Sequence, residues 1–498
     1  MAKILIVGAG VSGLSAGIYG CLSGHDVIIC ERNSSAGGNL TGWWRDGYHI
    51  DNCIHWLTGT NKNTATYSIW ETLGALDGTP IRYKDSLYTV EDGGIGISLK
   101  KDLSDLERDM LRISPEDKKE IKRLMGAVMS LRGLSGIAGE GANEKITFSA
   151  AIGSLPSLAY YYSLSTGALA RKFKSPLLGK FIVGFLGEDF GSLALLAVMA
   201  AFTSGNGGIP EGGSLAMARR MAKRFLSLGG ELRLGARVSR ILSDKGRAGP
   251  VILSDSERIE ADHIIIAADP AAIFGNVISA PMPRAIKRQY TSRRLKRFSS
   301  YHHAFACDVK PSFVGDLIID VPEKYRSVIK SSVLILKEFS HEPSFSPSSK
   351  TLIQTMSFCD EREALSVISL YERSKELYCR EKEKMAAAVE YLITEKFPEL
   401  KNSLSLIDSW GPATYKRYTG APSGAYMASC IPSLYIPKCA PCRVSGFNNL
   451  YIATQWQSLP GGLPNAAACG KKAIEEINRV EHIANQKTKK PTIALKER

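Results

Sequence analysis

Directly after the apolar run Lys3-Ile4-Leu5-Ile6-Val7 the chain reads Gly8-Ala9-Gly10-Val11-Ser12-Gly13, and then a helix-like stretch begins. Three glycines at this spacing, between a strand and a helix, serve one kind of unit. The first makes a tight turn, the second lets backbone approach a pyrophosphate, and the third lets helix and strand pack closely. The helix start then turns unpaired N–H groups and a positive dipole end toward the phosphates. A second strand, Asp26 to Cys30, ends in Glu31, an acid placed to accept hydrogen bonds from a ribose. Strand, turn, helix, second strand and acid together predict a dinucleotide-binding start.

The next residues favour FAD over a nicotinamide cofactor. Glu31-Arg32 is followed by Gly37-Gly38-Asn39-Leu40, and then by Trp43-Trp44-Arg45-Asp46-Gly47-Tyr48-His49-Ile50-Asp51, where a plain dehydrogenase would alternate strand and helix. Further along, Val238 opens a strand able to lie over an adenine, and Ala261 to Pro270 reads as a strand returning to the sheet. Near the C-terminus the strand Asn449 to Thr454 leads through Gln455 and Gly461-Gly462 into a helix of small residues, a second place where N–H groups can meet a cofactor. The expected cofactor-binding residues are Gly8, Gly10, Val11, Ser12, Gly13, Glu31, Arg32, Gly37, Gly38, Asn39, Val238, Thr454, Gln455, Gly462 and Leu463.

A chain of 498 residues, 44% hydrophobic, has material for two or three domains. Strand-like pieces are expected at 231–242, 250–254 and 263–267, and helices at 102–135, 193–202, 214–228, 371–396 and 465–483. The net charge of +14 leaves two readings open: solubility, or attraction to an anionic surface. No zinc-finger, basic-zipper or RNA-binding pattern accompanies the charge, so no nucleic acid is expected. Ten scattered cysteines do not make a secreted disulfide framework, and Cys439-x-x-Cys442 has no second pair at metal spacing, so no metal is expected. The run Phe181 to Phe202 is the nearest to a membrane span, but it contains Glu188 and Asp189. The expected location is cytoplasmic, with peripheral contact to the cytoplasmic face of an anionic membrane through residues 150–180 and 284–297.

Taken in order, these features resemble the phytoene desaturase, carotenoid isomerase and retinol saturase group of FAD-dependent oxidoreductases. The resemblance rests on the Gly8–Gly13 turn with Glu31-Arg32 and Gly37-Gly38, on Asp51-Asn52-Cys53-Ile54-His55, and on Ile209-Pro210-Glu211-Gly212-Gly213-Ser214. It continues through Ala261–Pro270, Thr414-Tyr415-Lys416-Arg417-Tyr418-Thr419-Gly420 and Trp456 to Pro464. It implies an α/β fold with an α+β substrate part: a Rossmann-like FAD-binding domain of the flavin amine oxidase and phytoene desaturase type, carrying an inserted substrate-binding domain. The expected division is 1–80, 207–275 and 441–480 for FAD, 81–206 and 276–440 for substrate and membrane, and a basic tail at 481–498. Noncovalent FAD and hydride transfer to or from an isoprenoid, carotenoid or retinoid-like lipid are what the resemblance implies, whether by desaturation, saturation or isomerisation. Two departures stand out. Cys53 replaces a glycine usual in the group, and Thr454-Gln455 replaces a Gly-Asp whose acid meets the ribitol.

Tyr415, Tyr418 and Tyr426 precede the last cofactor piece, and His55 follows the first loop. A tyrosine hydroxyl can supply a proton; the same rings can instead wall a lipid tunnel. His55 can face the flavin or satisfy a structural hydrogen bond. A second G-x-G-x-x-G unit is absent, which argues against a built-in nicotinamide site and leaves the electron partner open. A flavin amine oxidase-like enzyme and a non-catalytic lipid-binding protein on the same fold are the alternative readings.

Overall fold

The computed structural model describes residues 1–133 and 148–488. Its organising element is a five-stranded parallel sheet. In chain order the elements around it are β1 (Lys3–Val7), α1 (Val11–Leu22), β2 (Asp26–Cys30), α2 (Gly213–Ser227), β3 (Glu231–Arg233), β4 (His263–Ile266), β5 (Leu450–Ile452) and α3 (Leu463–Thr488). The strand order is β5-β4-β1-β2-β3, every pair running parallel. Such a sheet is covered on both faces, so its strands are apolar throughout rather than alternating; Ile4, Leu5, Ile6, Ile264, Ile265 and Ile266 have no solvent exposure. The helices that cover one face approach closely because α1 and α3 meet through small residues. A Cβ added to Gly470 would lie 2.4 Å from Ser12 O.

A second sheet of seven strands runs in the order Leu404–Trp410, Phe298–Cys307, Thr351–Asp360, Val333–Glu338, Asp316–Asp320, Ser86–Asp92, Ile95–Lys100. It is antiparallel except where Ser86–Asp92 meets Asp316–Asp320. Helices between residues 103 and 203 pack on it around a separate core that includes Tyr88, Leu106, Phe181, Leu196 and Met199. A three-stranded antiparallel sheet, Val238–Asp244 with Arg247–Leu253 and Arg258–Ile259, flanks β4.

Several elements differ from the sequence reading. The helix expected at 102–135 is broken into Leu103–Ile113 and Lys118–Gly133, and residues 134–135 lie outside those described. Pro115 breaks it, having no N–H to continue the helix and holding Ser114 out of the helical region at φ −142°; the Asp117 carboxylate then fixes the turn, accepting from Ser114 Oγ and from the Lys174 and Ser175 amides. The strand expected at 231–242 serves two sheets. Gly235, at φ +70°, turns the chain between β3 and Val238–Asp244. The helix expected at 371–396 begins earlier, as Glu361–Arg373, and restarts at Lys375 under a Ser374 cap. The last helix overruns residue 483 and reaches Thr488; the rest of the expected basic tail, 489–498, lies outside the described residues.

The motif Ile209 to Ser214 has a structural purpose that joins the two sheets. Asp51 Oδ2 accepts from Ser214 N at 2.6 Å, and Asp51 Oδ1 accepts from Ser214 Oγ at 2.6 Å and from Cys53 N at 3.1 Å. The start of α2 is thereby fastened to the loop that leads out of the cofactor region, with the carboxylate at the favourable end of the helix dipole. Gly213, at φ +64°, is required there: its Cβ would stand 2.1 Å from Asp51 Oδ2.

Candidate functional site

One cavity of about 1990 Å³ begins at the carboxyl ends of β1, β2 and β4 and continues to the seven-stranded sheet. Crevices at this end of a parallel sheet are where such folds bind ligands. Of the residues expected to hold the cofactor, all but Gly13 line this cavity. Gly13 lies behind the turn, where a Cβ would fall 1.9 Å from Gly8 O and 3.2 Å from Ala267 Cβ. Its task is packing, as the third glycine of the motif requires.

The residues present fit a dinucleotide. Gly10 is the N-cap of α1 and offers no side-chain cap, so the first-turn N–H groups face the cavity without an intrahelical acceptor. A Cβ built on Gly10 would meet nothing within 4 Å: the protein leaves that space open. Gly37 closes the other side of the cradle, donating its N–H to Ala9 O at 2.8 Å. The start of α3, with Gly462 and Leu463, faces the same space. Glu31 is buried at the end of β2, where Oε2 accepts from Ala9 N at 2.8 Å and Oε1 from Asn33 N at 2.9 Å. Asn33 Nδ2 also donates to Oε1 at 2.8 Å, so the acceptor direction left for a ribose is on Oε2. Glu31→Ala should therefore weaken FAD by about tenfold or more, as loss of a charge-assisted hydrogen bond costs about 1.5–3 kcal/mol. It should also lower the melting temperature, because Ala9 N and Asn33 lose their acceptor. Titration of the apoprotein checks the first effect; unchanged affinity would count against the ribose role.

Gln455 has a different task from the acid it replaces. Its Nε2 donates to Tyr426 O at 3.1 Å and its Oε1 accepts from Gly462 N at 2.9 Å. The side chain braces the second glycine loop against the Tyr426 segment. Thr454 caps the short turn Gln455–Gln457 in a reciprocal capping box with Gln457.

The four catalytic candidates all line the cavity but do not gather at one point. Tyr418 stands at the Glu31 end, with its hydroxyl 3.0 Å from Ser35 Oγ and its carbonyl accepting from Asn33 Nδ2. Tyr415 and Tyr426 stand together farther in, ring centroids 5.8 Å apart. Beside them is a residue the sequence reading did not single out. His302 Nε2 lies 3.0 Å from Tyr415 Oη and 2.8 Å from Ser300 Oγ, and its ring stacks on Trp410 at 4.7 Å and 4°. Asn52 Oδ1 accepts from Trp410 Nε1 at 2.8 Å and from Tyr415 Oη at 3.2 Å, while Asn52 Nδ2 donates to Asn39 O at 3.2 Å. The network thus ties the cofactor loop to the seven-stranded sheet. Ser300 and His302 share a face of one strand, as period two requires, but only the pairing of His302 with Trp410 shows which face meets the cavity.

Burial keeps this part of the wall uncharged. The His302 and His55 imidazoles are both held well below their ordinary value, first by burial and then by neighbouring cations or imidazoles; for His55 the charges are Lys337 and Lys84. Burial likewise raises the Tyr415 and Tyr426 hydroxyls and pushes the Cys53 thiol up to about 12. Beyond this middle section the lining is Phe185, Leu193, Val198, Ile335, Met356 and Phe358. Among the described residues, the carboxylates that line the cavity are Glu31, Asp269 and Glu475. They stand at the ends of β2 and β4 and on α3, away from that apolar arm.

A doubly glycine-lined cradle at the end of a parallel sheet, opening into a second chamber, defines an FAD-dependent oxidoreductase of Rossmann-like fold. The chain belongs to the flavin containing amine oxidoreductase family, whose model matches residues 11–478. It is similar to a prolycopene isomerase of Daucus carota, 24% identical over 85% of this chain and 71% of that protein. It is also similar to a lycopene-forming phytoene desaturase of Pseudescherichia vulneris, 24% identical over 54% of this chain and 56% of that protein. Among solved structures, an oxidoreductase from Methanosarcina mazei shares the fold with a TM-score of 0.60 at 17% identity, covering 95% of this chain and all of that one. Putrescine oxidase bound to putrescine shares it with a TM-score of 0.58 at 16% identity, covering 96% and 99%.

Proposed function

We propose that this FAD-dependent oxidoreductase acts on carbon–carbon bonds of a long, lipophilic, isoprenoid or carotenoid-like substrate. The observation that carries the reading is the apolar arm, continuous with the cofactor cradle and walled by neutral side chains. At about 1990 Å³ the whole cavity is roughly twice the upper end of ordinary ligand pockets, about 1,000 Å³. That is room for a dinucleotide and a second large ligand. An amine substrate would ask for a carboxylate near the reacting carbon, and the apolar arm offers none among the described residues. The names of the two relatives point the same way.

When bound, FAD supplies two-electron hydride chemistry. The chain's own residues would do the rest. The Gly8–Gly13 turn, Gly37-Gly38 and Glu31 would hold the pyrophosphate and ribose. Val238 would lie against the adenine, and the Gln455-braced loop would meet the other end. The Tyr415 hydroxyl lies within hydrogen-bond distance of His302 Nε2 and Asn52 Oδ1, which holds its ring in place. Hydride loss from a hydrocarbon leaves positive charge on carbon, and an aromatic face attracts positive charge; Tyr415 and Tyr426 would provide such faces without ionising. Anaerobic incubation of the flavin-loaded protein with extracted isoprenoid lipids, followed by mass analysis, tests the reading. Products shifted by two hydrogens, or isomers of unchanged mass, are expected; turnover of polyamines with none of lipids would overturn it. Tyr415→Phe should keep full flavin occupancy and lose turnover by only about fivefold, the worth of one hydrogen bond near 1 kcal/mol. Complete loss would instead mark the hydroxyl as a proton donor.

Peripheral membrane contact is the second part of the proposal. Four cations of the two expected segments are engaged elsewhere: Arg297 pairs with Glu361 at 2.7 Å, Lys296 with Asp189 at 2.6 Å, Lys174 with Glu116 at 3.9 Å, and Lys180 with Asp92 at 2.8 Å and with Asp320. Support comes instead from the cavity mouth. Leu434 and Ile436, 58% and 70% exposed, project from a loop whose neighbours Ile431 and Tyr435 line the cavity. The loop joins both expected segments, since Leu434 N donates to Tyr162 O at 2.9 Å and Arg294 Nη2 to Ser433 O at 3.3 Å. Apolar side chains would enter the headgroup layer while cations stay at its surface. Flotation with anionic vesicles at low salt should recover the protein, and Leu434→Ser with Ile436→Ser should reduce recovery severalfold. Equal recovery would remove the loop from the proposal. Among the described residues no helix is long and apolar enough to cross a membrane.

A further inference from the structure

We propose that His55 binds an oxygen atom of the substrate, a hydroxyl or a carbonyl, where the cavity passes from the cofactor loop into its apolar arm. The inference rests on the isoprenoid reading above and narrows it to oxygenated isoprenoids. Residues 52–58 run along the cavity wall, with Asn52, Cys53, His55, Trp56, Leu57 and Thr58 all lining it. The backbone on both sides of His55 is fastened. Ile54 N donates to Ser214 Oγ at 2.9 Å, Ile54 O accepts from the buried Lys337 Nζ at 3.3 Å, and Leu57 N donates to Gly208 O at 2.8 Å. Trp56 is wedged against Gly207, where a Cβ would stand 2.6 Å from the indole. It also packs on the helical core that holds Phe181, Leu196 and Met199. The His55 imidazole itself makes no hydrogen bond among the described residues. The chain thus fixes a polar ring at one place on the cavity wall and leaves its nitrogens to a ligand.

Two features set the class of ligand. The ring is uncharged, held so by burial and by Lys337 and Lys84, and therefore offers one N–H and one lone pair. A bare hydrocarbon filling the arm would strip water from both and return nothing, which costs free energy at each unpaired group. Water kept beside the ring would need further polar partners, which an apolar arm does not supply. An oxygen on the isoprenoid chain is the missing partner: a carbonyl accepts from the N–H, and a hydroxyl does the same or donates to the lone pair. An anionic head is disfavoured. Among the described residues the cations that line the cavity are Arg32, Arg237, Lys416, Lys471 and Lys472, none of them within residues 52–58. Lys84 is engaged by Asp316 at 3.1 Å and Lys337 by the Ile54 carbonyl. A few polar groups in an apolar wall fix the orientation of a ligand; one oxygen held at His55 sets the register of the chain along the arm.

The probes are geranylgeraniol, its aldehyde and the deoxy hydrocarbon of the same chain, bound to the flavin-loaded protein in one detergent. Affinity for wild type divided by affinity for a variant cancels each probe's own preference for the micelle. His55→Phe should weaken the alcohol and the aldehyde by about fivefold, the effect of one hydrogen bond, and leave the hydrocarbon bound as well as before or better. His55→Gln, which keeps a donor and an acceptor, should recover most of the alcohol's affinity. Should the phenylalanine variant fold poorly, His55→Leu makes the same comparison. FAD affinity and the flavin absorption spectrum should stay unchanged throughout. Equal weakening of all three probes in His55→Phe, or unchanged binding of the alcohol, would overturn the proposal and leave the isoprenoid reading standing. A shifted flavin spectrum with unchanged discrimination would do the same, by putting the ring on the flavin. Binding of none of the three to wild type would overturn the isoprenoid reading and this proposal with it.

Discussion

Gly10→Val should fold and purify almost free of flavin. The two halves of that statement rest on different observations. A Cβ at position 10 meets no protein atom within 4 Å, and Gly10 sits at an ordinary φ of −68°, so the fold loses little. The same empty space is where the backbone must come up against the pyrophosphate. An isopropyl group there displaces the ligand while the turn keeps its shape. Affinity should fall by about a hundredfold or more, or about 2.8 kcal/mol at 1.4 kcal/mol per factor of ten. Flavin absorbance per protein, with circular dichroism and thermal melting as controls, reads both halves. A variant at full flavin occupancy would show that this turn does not hold the pyrophosphate. Gly13→Val should behave oppositely and fail to fold, because its Cβ would collide with Gly8 O at 1.9 Å.

Asp51→Ala is the substitution expected to cost most in stability. It strips the acceptors from Ser214 N, Ser214 Oγ and Cys53 N in a buried site. Each buried donor left unsatisfied costs about 1–3 kcal/mol; allowing for relaxation, and with Ile54 N keeping Ser214 Oγ as its acceptor, the loss should be about 3–5 kcal/mol. Denaturant unfolding of the flavin-loaded protein measures it. A loss below about 1 kcal/mol would mean that the carboxylate does not fasten α2. Because Asn52 and Cys53 follow directly and line the cavity, flavin occupancy should fall alongside stability.

The nucleotide half was readable because its constraints are local. A strand, a glycine turn and a helix start fall within the first thirteen residues, and each glycine's purpose follows from backbone geometry alone. Glu31 was found the same way, at the end of the next strand. The second glycine site at Gly461-Gly462 was legible as a loop opening a helix, but the use made of Gln455 was not. Its two partners, Gly462 and Tyr426, are set by how the chain folds back, and an amide can accept from one while donating to the other. Tyr415 was a candidate from its motif. His302 had no motif, because a histidine in an apolar strand reads the same whether it faces core or cavity.

The sequence by itself determined the parallel sheet, the glycine turns at its edge and the FAD class, since these depend on glycines and apolar runs acting over a few residues. Tertiary structure alone decided which side chains share the cavity beyond the flavin. His302 meets Tyr415 across 113 positions, and Asp51 meets Ser214 across 163. Contacts of that range are set by strand pairing and helix packing over the whole chain, so no local pattern of residues encodes them.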